Sequence, residues 1–191
     1  MRLILASASP RRAELLSAAG LDFEVAPADV DESVQGNESP DRYVLRVAEA
    51  KARAIGEKFP GRPILSADTA VIIDGLILGK PESDGDARRM LRRLSGRTHD
   101  VLTGVCMVGP SGATTALART TVEFAPLTDD EIAWYVATGE PADKAGAYAI
   151  QGRASRFVRR IDGSYSNVVG LPVALVYGML KEIGAILTQS P

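Results

Sequence analysis

The stretch Leu3–Ala19, LILASASPRRAELLSAA, sets a short apolar run, a turn of small residues and an amphipathic segment one after another. Leu3, Ile4 and Leu5 predict a buried strand, Ala6 to Ser9 a tight turn, and Pro10 onward a helix whose Leu15, Leu16 and Ala19 face a core. Ser9 is the expected N-cap, its hydroxyl accepting from an orphan N–H, and Pro10 suits the first helical position because no N–H is needed there. Arg11 and Arg12 then stand in the first turn. The helix dipole already presents partial positive charge there, which disfavours each arginine by about 0.3–1 kcal/mol. A bound anion reverses that sign: backbone N–H groups, the hydroxyls of Ser7 and Ser9 and two guanidiniums then converge as a polyphosphate requires. The alternative is solvated charge at a helix start.

At 191 residues and 46% hydrophobic content, the chain is long enough for a sizeable core, as a single domain over 1–191 or as two merged lobes. A net charge of −2 supplies no field for nucleic acid or an anionic membrane, so any anion must be held by local clusters. The chain enters its first strand without a charged leader and apolar signal region, and no apolar stretch has the length of a membrane span; both predict a cytoplasmic protein. One cysteine and one histidine rule out a zinc site built from Cys and His, and any Ser-His-Asp triad would need that one histidine. Cys106, between Val105 and Met107, reads as a packed strand residue, and His99 as structural or peripheral. A metal, if used, is a hard cation held by carboxylate and phosphate oxygens.

Phe23–Val25 is a strand candidate leading into Asp29-Val30-Asp31-Glu32, which is either a solvated acidic turn or a cluster of functional carboxylates. Ser39-Pro40 opens a helix running to about Lys58, with Val44, Val47, Ala48, Lys51 and Ile55 on one face. A lysine on an apolar seam either snorkels at the edge or meets an anion. Pro63 to Ala67 reads as an apolar strand ending in Asp68-Thr69, the place where open α/β sheets carry reacting groups; an Asp capping a turn is the alternative. Asp74-Gly75 predicts a two-residue hairpin that returns Gly79-Lys80-Pro81 toward the level of Asp68.

Asp84 to Leu94 predicts a helix with Met90, Leu91 and Leu94 inward and Arg88, Arg89, Arg92 and Arg93 outward, stopped by Gly96. With no interleaved aromatics, those arginines read as a solvated face rather than a nucleic-acid surface. Val101–Val108 and Ala116–Phe124 are longer strands, and Thr128-Asp129-Asp130-Glu131 is a capping box with Ile132, Tyr135 and Val136 inward. In Asp143 to Gly152, glycines flanking Tyr148 and Gln151 permit close backbone approach to a ligand, and the Gln151 amide both donates and accepts, as a nucleobase edge requires. Phe157–Ile161 reads as a strand, Ser164–Gly170 as a polar loop, and Pro172 as the start of a last helix with Leu175, Val176, Met179, Leu180 and Ile183 buried. If the chain forms two lobes, Gly96–Val101 is the expected crossing between them.

Several separated motifs agree in order: Ser7–Arg12, Asp31-Glu32, Lys51 within Glu49–Ala52, Ala67-Asp68-Thr69, Gly79-Lys80-Pro81, Leu94-Ser95-Gly96, Asp143–Gly152 and Val169-Gly170-Leu171-Pro172. Together they resemble the Maf family, nucleoside triphosphate pyrophosphatases once described as septum-formation inhibitors. The resemblance implies an α/β fold with an elongated, curved mixed β-sheet flanked by helices, similar to inosine triphosphate pyrophosphatases, and often a homodimer. It implies hydrolysis of a nucleoside triphosphate to monophosphate and pyrophosphate with Mg²⁺ or Mn²⁺. Carried over, Asp68 is the proton acceptor that activates water, Glu32 an acidic metal position shared with Asp68, and Lys51 and Lys80 the lysines near the triphosphate. The family's base-preference positions fall on Arg11, Thr69 and Gln151, and the residue pattern itself makes Ser7, Ser9, Arg11 and Arg12 the expected phosphate binders. Gly146–Gly152 is similar to the branch acting on dTTP and UTP; Arg153-Ala154-Ser155 is less glycine-rich than the family pattern.

Neither G-x-x-x-x-G-K-[ST] nor a strand-linked G-x-G-x-x-G occurs, which disfavours P-loop and dinucleotide-binding enzymes. The rival of a different class is a nucleotide-binding regulator of cell division, which needs the phosphate site without the carboxylates.

Overall fold

Short apolar runs alternating with amphipathic segments build an α/β fold. The strands are β1 (Leu3–Leu5), β2 (Phe23–Val25), β3 (Ile64–Ile73), β4 (Leu76–Leu78), β5 (Thr98–Gly109), β6 (Gly112–Phe124) and β7 (Val158–Asp162). The helices are α1 (Pro10–Ala18), α2 (Pro40–Gly56), α3 (Asp84–Leu94), α4 (Asp129–Ala137), α5 (Tyr165–Val169) and α6 (Val173–Glu182). The strands form a mixed seven-stranded sheet in the order β2-β1-β3-β5-β6-β7, with β4 paired to β3 off that path. The computed structural model describes residues 2–184, so residue 1 and residues 185–191 of the expected 1–191 domain lie outside the described residues.

The chain divides into two units, the first holding residues 2–68, 103–118 and 170–184 and the second residues 69–102 and 119–169. In the first, β1 pairs in parallel with both β2 and β3. Alternation along the strands separates two faces. Leu3, Leu5, Leu65 and Met107 pack with Leu16 of α1 and Val176, Met179 and Leu180 of α6. Ile4, Ile64 and Cys106 point the other way, onto Ala48, Ala52 and Ile55 of α2. Burial pushes the Cys106 thiol up to about 11, which suits a packed residue rather than a nucleophile.

In the second unit, Val71, Ile73, Val122, Phe124, Leu91, Leu94, Tyr135 and Phe157 share one core. Asp74 and Gly75 turn with φ of 54° and 74°, and β3 and β4 pair antiparallel from Val71↔Leu78 to Ile73↔Leu76, as the Asp-Gly signal predicts. The Thr128–Glu131 capping box is present, and α3 buries Ala87, Leu91 and Leu94 with its arginines outward.

Four expectations change. Ala19 is exposed at the C-cap of α1, and the inward positions include Arg12 instead. Asp68 does not end a strand: β3 runs unbroken through it, because the apolar residues on both sides share one extended run. Ser164–Gly170 contains the short helix α5, whose Asn167 side chain is buried and donates to the Val101 carbonyl and the Thr120 hydroxyl. The two long strands extend beyond their predicted bounds, to Thr98–Gly109 and Gly112–Phe124. Among the described residues, no helix is long and apolar enough to cross a membrane.

Candidate active site

Two contacts bring α2 down on the sheet. The Ser66 hydroxyl donates to the Ala48 carbonyl at 2.6 Å. Gly104 lies so close to α2 that a Cβ there would stand 2.4 Å from the Val44 carbonyl oxygen, well inside van der Waals contact. Lys51, one turn beyond Ala48 on the same face, is thereby driven inward rather than left to snorkel, and it is only 7% exposed. Its ammonium lies 2.8 Å from Asp68 Oδ1 and 2.8 Å from Glu32 Oε1. The anion expected on this apolar seam is therefore a pair of protein carboxylates, one buried and one about half exposed.

Burial pushes the Asp68 carboxyl above its ordinary value, against the opposing pull of Lys51 first and of Arg12 after it. That balance suits a proton acceptor: a carboxylate kept charged by its neighbours, yet made more basic by partial loss of water. Arg12 also departs from the solvated-charge picture. Its Nε donates to the Gly170 carbonyl at 2.8 Å and its Nη1 to Ser7 Oγ at 3.1 Å; burial lowers its pKa, and the nearby Asp68 and Glu32 oppose that by favouring its charge. The same Ser7 Oγ accepts from the Ser9 N–H at 3.2 Å. Ser9 occupies the N-cap position, but its hydroxyl makes no capping hydrogen bond; the turn is instead closed by Ser7. Arg11 is partly exposed in the first turn of α1.

Two residues that the sequence reading passed over hold the acidic segment. The Tyr43 hydroxyl donates to the Glu32 carbonyl at 3.0 Å, and burial, with Asp68 and Glu32 adding to it, pushes that phenol up to about 12. Arg46 forks onto Glu38 at 2.9 and 2.6 Å and donates to the Ser33 carbonyl at 2.8 Å. The Arg46 contact and the Gln35 N–H hold Glu38 down at about 2. The Asp29–Glu32 stretch is thus tied to the first turns of α2 and is more than a solvated turn. The available signal was an aromatic and an arginine at i, i+3 just after a marked helix start.

The remaining predicted residues belong to the second unit. Thr69 follows Asp68 on β3 and is partly exposed, Lys80 is exposed just after β4, and Gln151 is exposed directly after the buried stretch Ala147–Ile150. His99 is buried with Nε2 2.8 Å from the Tyr148 hydroxyl and ring edges against Phe124 and Tyr148, the structural role expected of it.

Asp68 and Glu32 offer hard carboxylate oxygens, one of them solvent-reachable, which fits a Mg²⁺-like ion that keeps most of its ligands as water and phosphate. Among the described residues, no group of three or more Asp, Glu, His or Cys side chains is gathered for a metal. Any such ion depends on the substrate for further oxygens.

Residues 2–183 match the family described as Maf-like protein. The chain belongs to the Maf family. Within it, the chain is 56% identical over 187 residues to a dTTP/UTP pyrophosphatase of Anaeromyxobacter dehalogenans (strain 2CP-C), covering 96% of this chain and 94% of that protein. It is 51% identical over 186 residues to a dTTP/UTP pyrophosphatase of Koribacter versatilis (strain Ellin345), covering 97% and 96%. In structure, this Maf chain resembles the Staphylococcus aureus Ham1 protein, with a TM-score of 0.57 at 14% identity over 95% of this chain and 99% of the other. A HAM1 protein from Coxiella burnetii follows with a TM-score of 0.52 at 16% identity, again over 95% and 99%. At such low identity the likeness is one of fold, the α/β architecture expected from the motifs.

Proposed function

We propose that this chain hydrolyses dTTP and UTP to the nucleoside monophosphate and pyrophosphate, the activity named for its Maf relatives. The observation that carries the proposal is the buried Lys51 ammonium shared between Asp68 and Glu32, beside the buried Arg12 guanidinium. Asp68 takes a proton from water as the water oxygen bonds to the α-phosphorus. The bond from that phosphorus to the bridging oxygen of the β-phosphate breaks, and pyrophosphate leaves with its electron pair. Lys51 stands between two roles: it holds Asp68 charged in the free protein, and its ammonium neutralises phosphate oxygens once the triphosphate arrives. Ser7, Ser9, Arg11 and Arg12 around the start of α1 bind phosphate, as the residue pattern suggests; Lys80 joins them, and Arg11, Thr69 and Gln151 choose the base, as the resemblance implies.

Asp68 and Glu32 would hold Mg²⁺ or Mn²⁺, which when bound offsets charge on the phosphate oxygens. The nucleotide pool of the cytoplasm is the proposed place of work. A homodimer is implied by the resemblance, and sedimentation velocity tests it.

Incubation with dTTP, UTP, CTP, GTP and 7-methyl-GTP in Mg²⁺ or Mn²⁺, with product identification, tests the reaction. Monophosphate and pyrophosphate, formed fastest from dTTP or UTP, are expected. Diphosphate and orthophosphate mean attack at the γ-phosphorus and overturn the mechanism. Binding without turnover favours a nucleotide-binding regulator.

A further inference from the structure

Gln151 sits at a turn closed by the Gly152 N–H on the Ala149 carbonyl at 3.0 Å. Both ends of that turn run to one carboxylate. Glu140 accepts from the Arg153 N–H at 3.0 Å through Oε2 and from the Ala154 N–H at 3.4 Å through Oε1. Its Oε1 also accepts from the Tyr135 hydroxyl at 2.8 Å, and that hydroxyl in turn accepts from the Ala149 N–H at 3.2 Å. Gly152 makes the approach possible, since a Cβ there would stand 2.5 Å from Glu140 Oε1. Residues two before and two after Gln151 are therefore fixed by one chain of hydrogen bonds, Ala149 to Tyr135 to Glu140 to Arg153. Just upstream, buried Ala147 is held at a φ of 60°, an uncommon conformation for a residue with a Cβ, and the buried Tyr148 hydroxyl meets His99.

We infer that Glu140, acting through Tyr135, is a positioning residue for base selection: it fixes the turn that presents the Gln151 amide before any nucleotide binds. The inference rests on the proposed role of Gln151. A base edge is read by a donor and an acceptor at set positions, and a side chain on a loosely held turn reads it poorly. A carboxylate suits the post because it is acceptor-only, and here every group facing it is a donor, two backbone N–H groups and a hydroxyl. An amide in its place sets an NH₂ against at least one of those donors.

The test compares Glu140→Gln, Tyr135→Phe and Gln151→Ala with the unaltered protein, reading kcat and KM separately for dTTP, UTP, CTP and GTP. Glu140→Gln and Tyr135→Phe are each expected to raise KM for dTTP and UTP about tenfold, the equivalent of one hydrogen bond. They should leave kcat for the best substrate within about threefold and flatten the preference among bases, as Gln151→Ala does; a merely structural loss lowers all four nucleotides alike. If Gln151→Ala flattens the preference while Glu140→Gln and Tyr135→Phe keep it, the positioning role is overturned and the reading of Gln151 stands. If Gln151→Ala itself leaves the preference unchanged, that reading fails and this inference with it. Amide hydrogen exchange of the unaltered protein gives a check independent of variant folding. Protection of the Ala149, Arg153 and Ala154 N–H groups without nucleotide is expected, and rapid exchange there overturns the inference.

Discussion

The Lys51 ammonium and the Asp68 carboxylate meet at 2.8 Å with each side chain only 8% exposed. A charge pair this dry is poor evidence of stabilisation, because the loss of water roughly cancels the attraction, yet removing one member leaves the other uncompensated at a cost of about 3–5 kcal/mol. On the proposed reaction, its use lies in setting the charge of Asp68, the group proposed to take the proton from water.

Replacing Asp68 with Asn keeps the shape and removes the proposed proton acceptor. Steady-state kinetics are expected to show kcat for dTTP falling by about 10²–10⁴-fold. Calorimetric titration with a non-hydrolysable dTTP analogue should still show binding, since Arg12 keeps its bonds to Gly170 and Ser7. Turnover within a few-fold of the unaltered enzyme would remove Asp68 from the chemistry.

Lys51→Met tests the electrostatics separately. Burial raises the Asp68 carboxyl and Lys51 pulls it back down, so deleting the ammonium leaves burial less opposed and moves the carboxyl further up. A carboxylate NMR titration of the nucleotide-free protein reads this directly, with the Asp68 midpoint in the variant at higher pH than in the unaltered protein. The acid limb of activity shifts the same way, because a base with a higher pKa is already protonated at higher pH. An unmoved midpoint would mean that the 2.8 Å contact does not govern Asp68.

What the chain revealed before folding, and what it hid, divides by distance along the sequence. The alternation in Leu3–Leu5 and the helical spacing through Lys51 are local patterns, and both appear as read. The Asp74-Gly75 turn is local too, since two residues decide its backbone. The burial of Arg12 is not legible locally, because its acceptor, the Gly170 carbonyl, lies 158 residues away and no helix rule foresees a partner brought by the fold. A carboxylate in an apolar run resembles a strand end, yet β3 continues through Asp68, whose partner Lys51 stands 17 positions earlier, out of reach of any local pattern. Tyr43 and Arg46 carry no role readable from the helix alone, since that role depends on where the Glu32 loop returns.

Gly104→Ala addresses the packing that delivers Lys51. The added methyl would overlap the Val44 carbonyl, so α2 must lift from β5 or the strand must bend. A loss of about 1–3 kcal/mol is expected from overpacking of this kind, read as a lower melting temperature. Activity should fall more than the melting temperature alone explains, because the displaced α2 also carries Lys51 to Asp68. A variant with full stability and full activity would show that the close approach positions nothing.

His99 gives a prediction about pH with a definite sign. Burial lowers its pKa from 6.5 to about 4, outweighing the opposing effect of Asp100. Between those values the unfolded chain binds a proton that the folded chain refuses, so stability rises with pH across that window and is lost as pH falls through it. A shift of this size corresponds to about 3 kcal/mol. His99→Phe keeps a ring beside Phe124 and Tyr148 while removing the titrating group, at the cost of the Tyr148 hydroxyl losing its 2.8 Å partner. Urea unfolding at a series of pH values is expected to show the variant less stable near neutrality, by about 1–3 kcal/mol for the unpaired hydroxyl. The two proteins should converge toward pH 4, where the histidine of the unaltered protein becomes a liability. Parallel stability curves over that range would mean that His99 is already neutral in both states or already charged in both, against its burial at 3% exposure.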